Sequence, residues 1–146
     1  MNIIEVSNKY DYAMCIYLRT MIFIIGQNCP LVDEIENEED EENAVNFIGY
    51  MMGDIPAATA RYRVLKGNIA KIERVGVLDE FQGKGFGRDI VLHILDKLKN
   101  DNSITEIKLG AQDHALGFYN KLGFKEYGDG YMDAGIPHHM MEFKKF

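Results

Sequence analysis

The chain has 146 residues, 47% of them apolar, and a formal net charge of −7. That length suits one domain with a core of its own, and the acidic balance speaks against a nucleic-acid partner, whose phosphates demand a basic face. Two cysteines, Cys15 and Cys29, are too few for a disulfide framework and form no metal-ligand cluster, so a secreted stapled fold is excluded and a reducing compartment is expected.

Met1–Ser7 carries no basic segment followed by an apolar run, and the most apolar window, Tyr12–Ile25, contains Arg19 and falls short of the ~20 residues that span a bilayer. The expectation is a cytoplasmic protein with no membrane partner and a single domain over 1–146. Asn2–Val6 alternates weakly and reads as a first strand. From Tyr10 onward, Ala13, Met14, Tyr17, Leu18, Met21, Ile22 and Ile25 recur at helical spacing, predicting an amphipathic helix broken near Gly26. Residues 33–42 carry eight carboxylates. Charges this dense repel and stay wet, which predicts a solvated loop or exposed helical face ahead of an acidic docking patch.

Asn46–Met52 and Ala57–Leu65 read as strands joined through Gly53-Asp54-Ile55-Pro56, and Lys66-Gly67-Asn68 supplies the next turn. The strand from Ile69 to Leu78 slips phase at Glu73-Arg74, because Ala70 and Ile72 fall on one face and Val75 and Val77 on the other. Either a bulge or a strand buried on both faces accounts for it. Ile90, Val91, Ile94, Leu95 and Leu98 mark a helix ending near Lys99, and Ile104–Leu109 a further strand, parallel to the previous one through a right-handed crossover. Ala115, Phe118, Tyr119 and Leu122 trace a second amphipathic helix stopped by Gly123, and Phe124–Tyr127 and His139–Lys145 close the chain as strands.

Between the phase-slipped strand and its helix lie glycines at 83, 85 and 87. Glycine lets the backbone approach a ligand and turn with positive φ, so that successive N–H groups converge on phosphate oxygens, and the helix start adds its own unpaired N–H groups. Lys84 and Arg88 add charge. The P-loop is excluded, since "GKGFGRD" has no hydroxyl to hold magnesium, and the dinucleotide fingerprint is excluded because the third glycine comes one residue early. A glycine-rich turn with no ligand remains the alternative on spacing alone.

Gln82-Gly83-Lys84-Gly85-Phe86-Gly87 resembles the Q/R-x-x-G-x-G/A signature of the GNAT superfamily of acyl-CoA-dependent N-acyltransferases, placed after a strand ending in Val75-Gly76-Val77. "QDHALGFYNKLGFKEYG", at 112–128, resembles that family's second helix, with Ala115, Phe118, Tyr119, Gly123 and Phe124 in order and Gln112 where asparagine is usual. Most of the chain is similar to a small bacterial branch with unassigned acceptors, although Gly26 stands where that branch has glutamate. The resemblance implies an α/β (α+β) fold: a mixed, mostly antiparallel central sheet, splayed between its fourth and fifth strands, with helices on both faces. It implies acetyl-CoA as cosubstrate, its pyrophosphate on the amides of residues 83–88 and its pantetheine arm along Val75, Gly76 and Val77, with Gln82, Gln112 and Phe118 also at the coenzyme.

Tyr119 is then the general acid toward the leaving sulfur, and a small-molecule or peptide amine the acceptor. Glu73 is either the base, relaying through water, or a salt-bridge partner, and His138 is the second candidate for the base. Arg19 and Arg61 line the acceptor cleft or form surface salt bridges, and His138 lies in that cleft or at the surface. His138 and His139 are strand neighbours facing opposite ways, so no metal is expected. A homodimer accords with the resemblance. The competing function is a non-catalytic acyl-CoA sensor.

Overall fold

A computed structural model describes residues 1–35 and 38–144. Glu36 of the acidic run and Lys145 of the last expected strand lie outside them. Seven strands, β1 (Asn2–Glu5), β2 (Val45–Met51), β3 (Ile55–Leu65), β4 (Ile69–Val77), β5 (Glu106–Gln112), β6 (Phe124–Asp133) and β7 (Ile136–Phe143), form one sheet in the order β1-β2-β3-β4-β5-β7-β6. Among the described residues only the β4–β5 pair is parallel; the other pairs are antiparallel. α4 (Phe86–Lys99) makes the crossover between them.

Alternation along β2 sorts the two cores. Phe47 joins the cluster under α4, where Ile90, Val91, Ile94, Leu95 and Leu98 are all buried, and its neighbour Ile48 joins the one under α1 (Lys9–Arg19), with Cys15 and Leu18. The sheet is therefore covered on both faces. α1 starts at Asn8, whose side chain accepts from the Asp11 amide at 2.8 Å, a standard N-cap. It does not end at Arg19 but widens into a π-helical turn, Thr20–Ile25, closed by the Gly26 amide on the Met21 carbonyl. Single π turns of this kind recur at functional sites. Here the turn sets Ile22 and Phe23 against β4: a Cβ on Gly76 would lie 2.9 Å from Ile22 Cγ2 and 3.1 Å from Phe23 Cζ.

The phase slip in β4 is a bulge. Thr59 pairs with Gly76 and Arg61 with Glu73, so Ala60 alone faces both Arg74 and Val75, and Arg74 takes the left-handed φ of +55°. Pairing between β4 and β5 stops where the bulge begins, at Ile72 and Leu109.

Three expectations are corrected. β5 starts at Glu106 and runs to Gln112, because Ile104 is buried in a turn with its amide on the Asp101 carbonyl. β6 runs on to Asp133, past Gly128 and Gly130, because a register shift between Tyr127 and Tyr131 absorbs the extra residues; β7 admits Pro137 because β5 ends opposite His138. The acidic run is not simply wet: α2 (Leu31–Glu34) and α3 (Glu38–Asn43) lie along it, Glu34 is 3% exposed, and Glu34 and Glu41 both bind the buried Arg19. Their repulsion is relieved by burying cations with them.

Candidate active site

The glycine turn is open. Gly83 and Gly85 adopt φ of +77° and +82°, and a Cβ on either would meet nothing within 4 Å. Gly85 caps α4 through its backbone alone. Among the described residues, the amides of residues 83–88 donate to no backbone or side-chain acceptor; the first one used is that of Asp89, on the Gly85 carbonyl at 3.0 Å. A run of free N–H groups at the positive end of a 14-residue helix is an anion cradle. Gln82 folds back from it, its amide donating to the Val77 carbonyl at 3.3 Å. Phe118 is 38% exposed and in van der Waals range of a Cβ at Gly87, so it borders the same turn.

Beside the turn, the gap between β4 and β5 opens into a cavity of about 370 Å³. Val75, Gly76 and Val77 form its β4 wall, Gly110 to Gln112 its β5 wall, and Tyr119, Tyr131 and His138 reach it from α5 (Leu116–Lys121), β6 and β7. Tyr119 is 9% exposed and wedged edge-on between Phe118 and Phe124, with centroids 4.9 and 5.9 Å away. Burial pushes its hydroxyl above the usual tyrosine value, so it keeps its proton. Gln112 donates to the Gln27 side chain at 2.8 Å, tying the end of β5 to the segment that follows the π turn. His138 is 8% exposed, with Nδ1 2.7 Å from the Ile136 carbonyl and its ring stacked on Tyr131. His139 faces the other way, with Nδ1 2.7 Å from Asp113.

Glu73 sits on the cavity wall but its carboxylate is fully engaged. Arg63 binds both oxygens, at 2.6 and 3.0 Å, Arg61 binds one at 2.9 Å, and Lys71 lies 3.7 Å away. Burial alone would raise it, yet the Arg63 hydrogen bonds and the surrounding cations bring it down from the ordinary 4.5 to about 2. Of the two alternatives for Glu73, the ion pair is the one the fold displays.

Arg19 and Arg61, expected at the acceptor cleft or the surface, are at neither. Each is 1% exposed, and neither lines the cavity. Arg19 is held by Glu34 at 2.7 Å and Glu41 at 2.9 Å; Arg61 binds Glu41 at 2.6 Å and Glu73. A guanidinium stripped of water needs carboxylates on several sides, and α2, α3 and β4 supply them. Sequence reasoning missed Tyr131, Gln27 and Gly110 at the cavity. Only Gly110 left a signal, a glycine inside a strand, and its cause is close approach: a Cβ there would lie 2.3 Å from the Tyr131 hydroxyl.

A free-amide cradle thus lies beside a bulged, parted strand pair. Residues 28–145 fit the family model described as an acetyltransferase (GNAT) domain. The chain belongs to the GNAT family. It is 30% identical to YjcF of Bacillus subtilis, described as an uncharacterized N-acetyltransferase, over 97% of this chain and 98% of that one. The fold is also that of Escherichia coli ElaA, with a TM-score of 0.82 at 22% identity, covering 99% of this chain and 100% of that one. An aminoglycoside 6′-N-acetyltransferase solved with coenzyme A gives a TM-score of 0.77 at 15% identity, covering 100% of this GNAT chain and 98% of that one.

Proposed function

We propose that this GNAT protein transfers the acetyl group of acetyl-CoA directly to a primary amine. The carrying observation is the set of unpaired amides at residues 83–88 next to the β4–β5 gap. Gly83 to Arg88 cradle the pyrophosphate, with Lys84 and Arg88 adding charge. Gln82, Gln112 and Phe118 border the coenzyme. The pantetheine arm occupies the gap as an added strand, bonding edge groups of Val75, Gly76 and Val77 that β5 leaves unused, and an amide of that stretch steadies the oxyanion. The family and a coenzyme A complex of the same fold support the coenzyme.

In this reading the amine nitrogen attacks the thioester carbonyl, and the tetrahedral intermediate expels sulfur as Tyr119 donates its proton. The phenolate then recovers a proton from the newly formed C–N nitrogen. Glu73, tied to three cations, holds the bulge in shape rather than moving a proton. The cavity's size fits a small amine or a peptide end.

Free thiol released from acetyl-CoA by a panel of lysine, putrescine, spermidine and tyramine tests the activity. Tyr119→Phe is expected to lower kcat by roughly 10²–10³ while leaving coenzyme A affinity near wild type, as removal of a positioned proton donor does. Gly85→Glu should abolish coenzyme binding in calorimetry. A coenzyme that binds Gly85→Glu unchanged, or Tyr119→Phe losing binding and turnover equally, would overturn these roles.

A further inference from the structure

We propose that His138 is the general base that takes the first proton from the acceptor ammonium, through Nε2. The inference rests on the acetyl-transfer reading above and deepens it. An alkylammonium has a pKa near ~10.4 and cannot attack until it loses a proton, so the site needs an acceptor atom beside the thioester. Of the cavity's other proton acceptors, Asp33 and Asp133 are solvent-exposed carboxylates, Glu34 is bound by Arg19 and Arg74, and the two that remain are engaged as follows. Glu73 is saturated by Arg61, Arg63 and Lys71. His114 is exposed and its Nε2 is 2.5 Å from Gln112 Oε1.

His138 differs because its two nitrogens have separate surroundings. A backbone carbonyl can only accept, so the 2.7 Å contact with Ile136 O fixes the hydrogen on Nδ1. Neutral His138 therefore carries its lone pair on Nε2, which has no hydrogen-bond partner among the described residues, in a side chain that lines the same cavity as Tyr119. Tyr131 stacks on the ring at 5.6 Å and 28°, and Tyr131 is itself admitted by the missing side chain at Gly110. Its cross-strand neighbour on β5 is the uncharged Gln112. The charged or titratable groups sharing the cavity are Cys29 before α2, Asp33 and Glu34 on α2, Lys71, Glu73 and Arg74 on β4, His114 after β5, Tyr119 on α5, and Tyr131 and Asp133 on β6.

The proton count closes. The ammonium gives one proton to Nε2, and the neutral amine forms the C–N bond while the carbonyl π pair moves to oxygen. The C–S bond then breaks, Tyr119 protonates the sulfur, and the phenolate takes the second nitrogen proton. His138 returns the first proton to water, leaving amide, thiol and one H⁺.

His138→Asn separates the base from its anchor, since the asparagine amide can still donate to Ile136 O but offers nothing at Nε2. With the fastest amine of the panel, kcat/KM should fall by roughly 10²-fold at neutral pH and recover toward wild type as pH nears the amine's own pKa, while coenzyme A affinity and Tm stay put. In ¹⁵N-histidine NMR, the wild-type His138 should show the Nδ1–H tautomer. An unchanged pH profile in His138→Asn, an equal loss at every pH, or an Nε2–H tautomer would each overturn the base while leaving the transferase reading intact. No thiol release by wild type with any amine would overturn that reading and the base with it.

Discussion

The two faces of the sheet are buried by opposite chemistry. Under α4 the contact is aliphatic, with Ile90, Ile94, Leu95 and Leu98 against Ala58, Ala60 and Ile72. Under α1, next to a smaller apolar cluster, the sheet buries Arg61 and Glu73, and Arg19, Glu34 and Glu41 pack beside them. Aliphatic burial is non-directional and tolerates small changes of shape. An ion cluster tolerates none, because removing one member leaves the rest charged and dry. The tolerant face carries the crossover helix that delivers the glycine turn; the intolerant face fastens the bulged strand and α2 around the cavity.

Arg61→Ala should break this contrast most visibly. It leaves Glu41 and Glu73 buried without a shared cation, and the loss expected in urea unfolding is roughly 3–5 kcal/mol. Acid provides a second probe. Glu73 is held at about 2 against an ordinary 4.5, so its stabilisation is complete above about pH 4.5 and drains away as pH falls toward 2. Glu73→Gln should flatten the decline of the urea midpoint across that window, and a decline as steep as wild type would remove Glu73 from the cluster's energetics. Ile94→Val, on the aliphatic face, should cost only roughly 0.5–1.5 kcal/mol by the same measurement. A loss on α4 equal to that at Arg61 would erase the distinction.

The same contrast explains what the sequence disclosed. Periodicity read α4 almost to the residue, because a helix on an aliphatic core repeats its apolar positions. The glycine turn was legible because positive φ and open space leave a compositional mark. The bulge showed as a phase slip at Glu73-Arg74, but strand pairing was needed to choose between two accounts. The ionic side was unreadable: Arg19, Arg61 and Glu34 carry the residue types of a wet surface, and only the meeting of α1, α2 and β3 buries them. His138 was legible as the second candidate for the base, but not its tautomer or orientation, which depend on a carbonyl two residues back and a tyrosine on the neighbouring strand.

Arg74 sits at the kink with a backbone angle that glycine would accept more readily, yet its guanidinium reaches Glu34 on α2, Nε to Oε2 at 3.1 Å, and the Glu34 carbonyl at 3.2 Å. The seam is thus clamped from outside the strand, by a helix whose Asp33 and Glu34 also line the cavity. Whatever displaces α2 loosens that clamp, and with it the bulged stretch of β4 that walls the cavity.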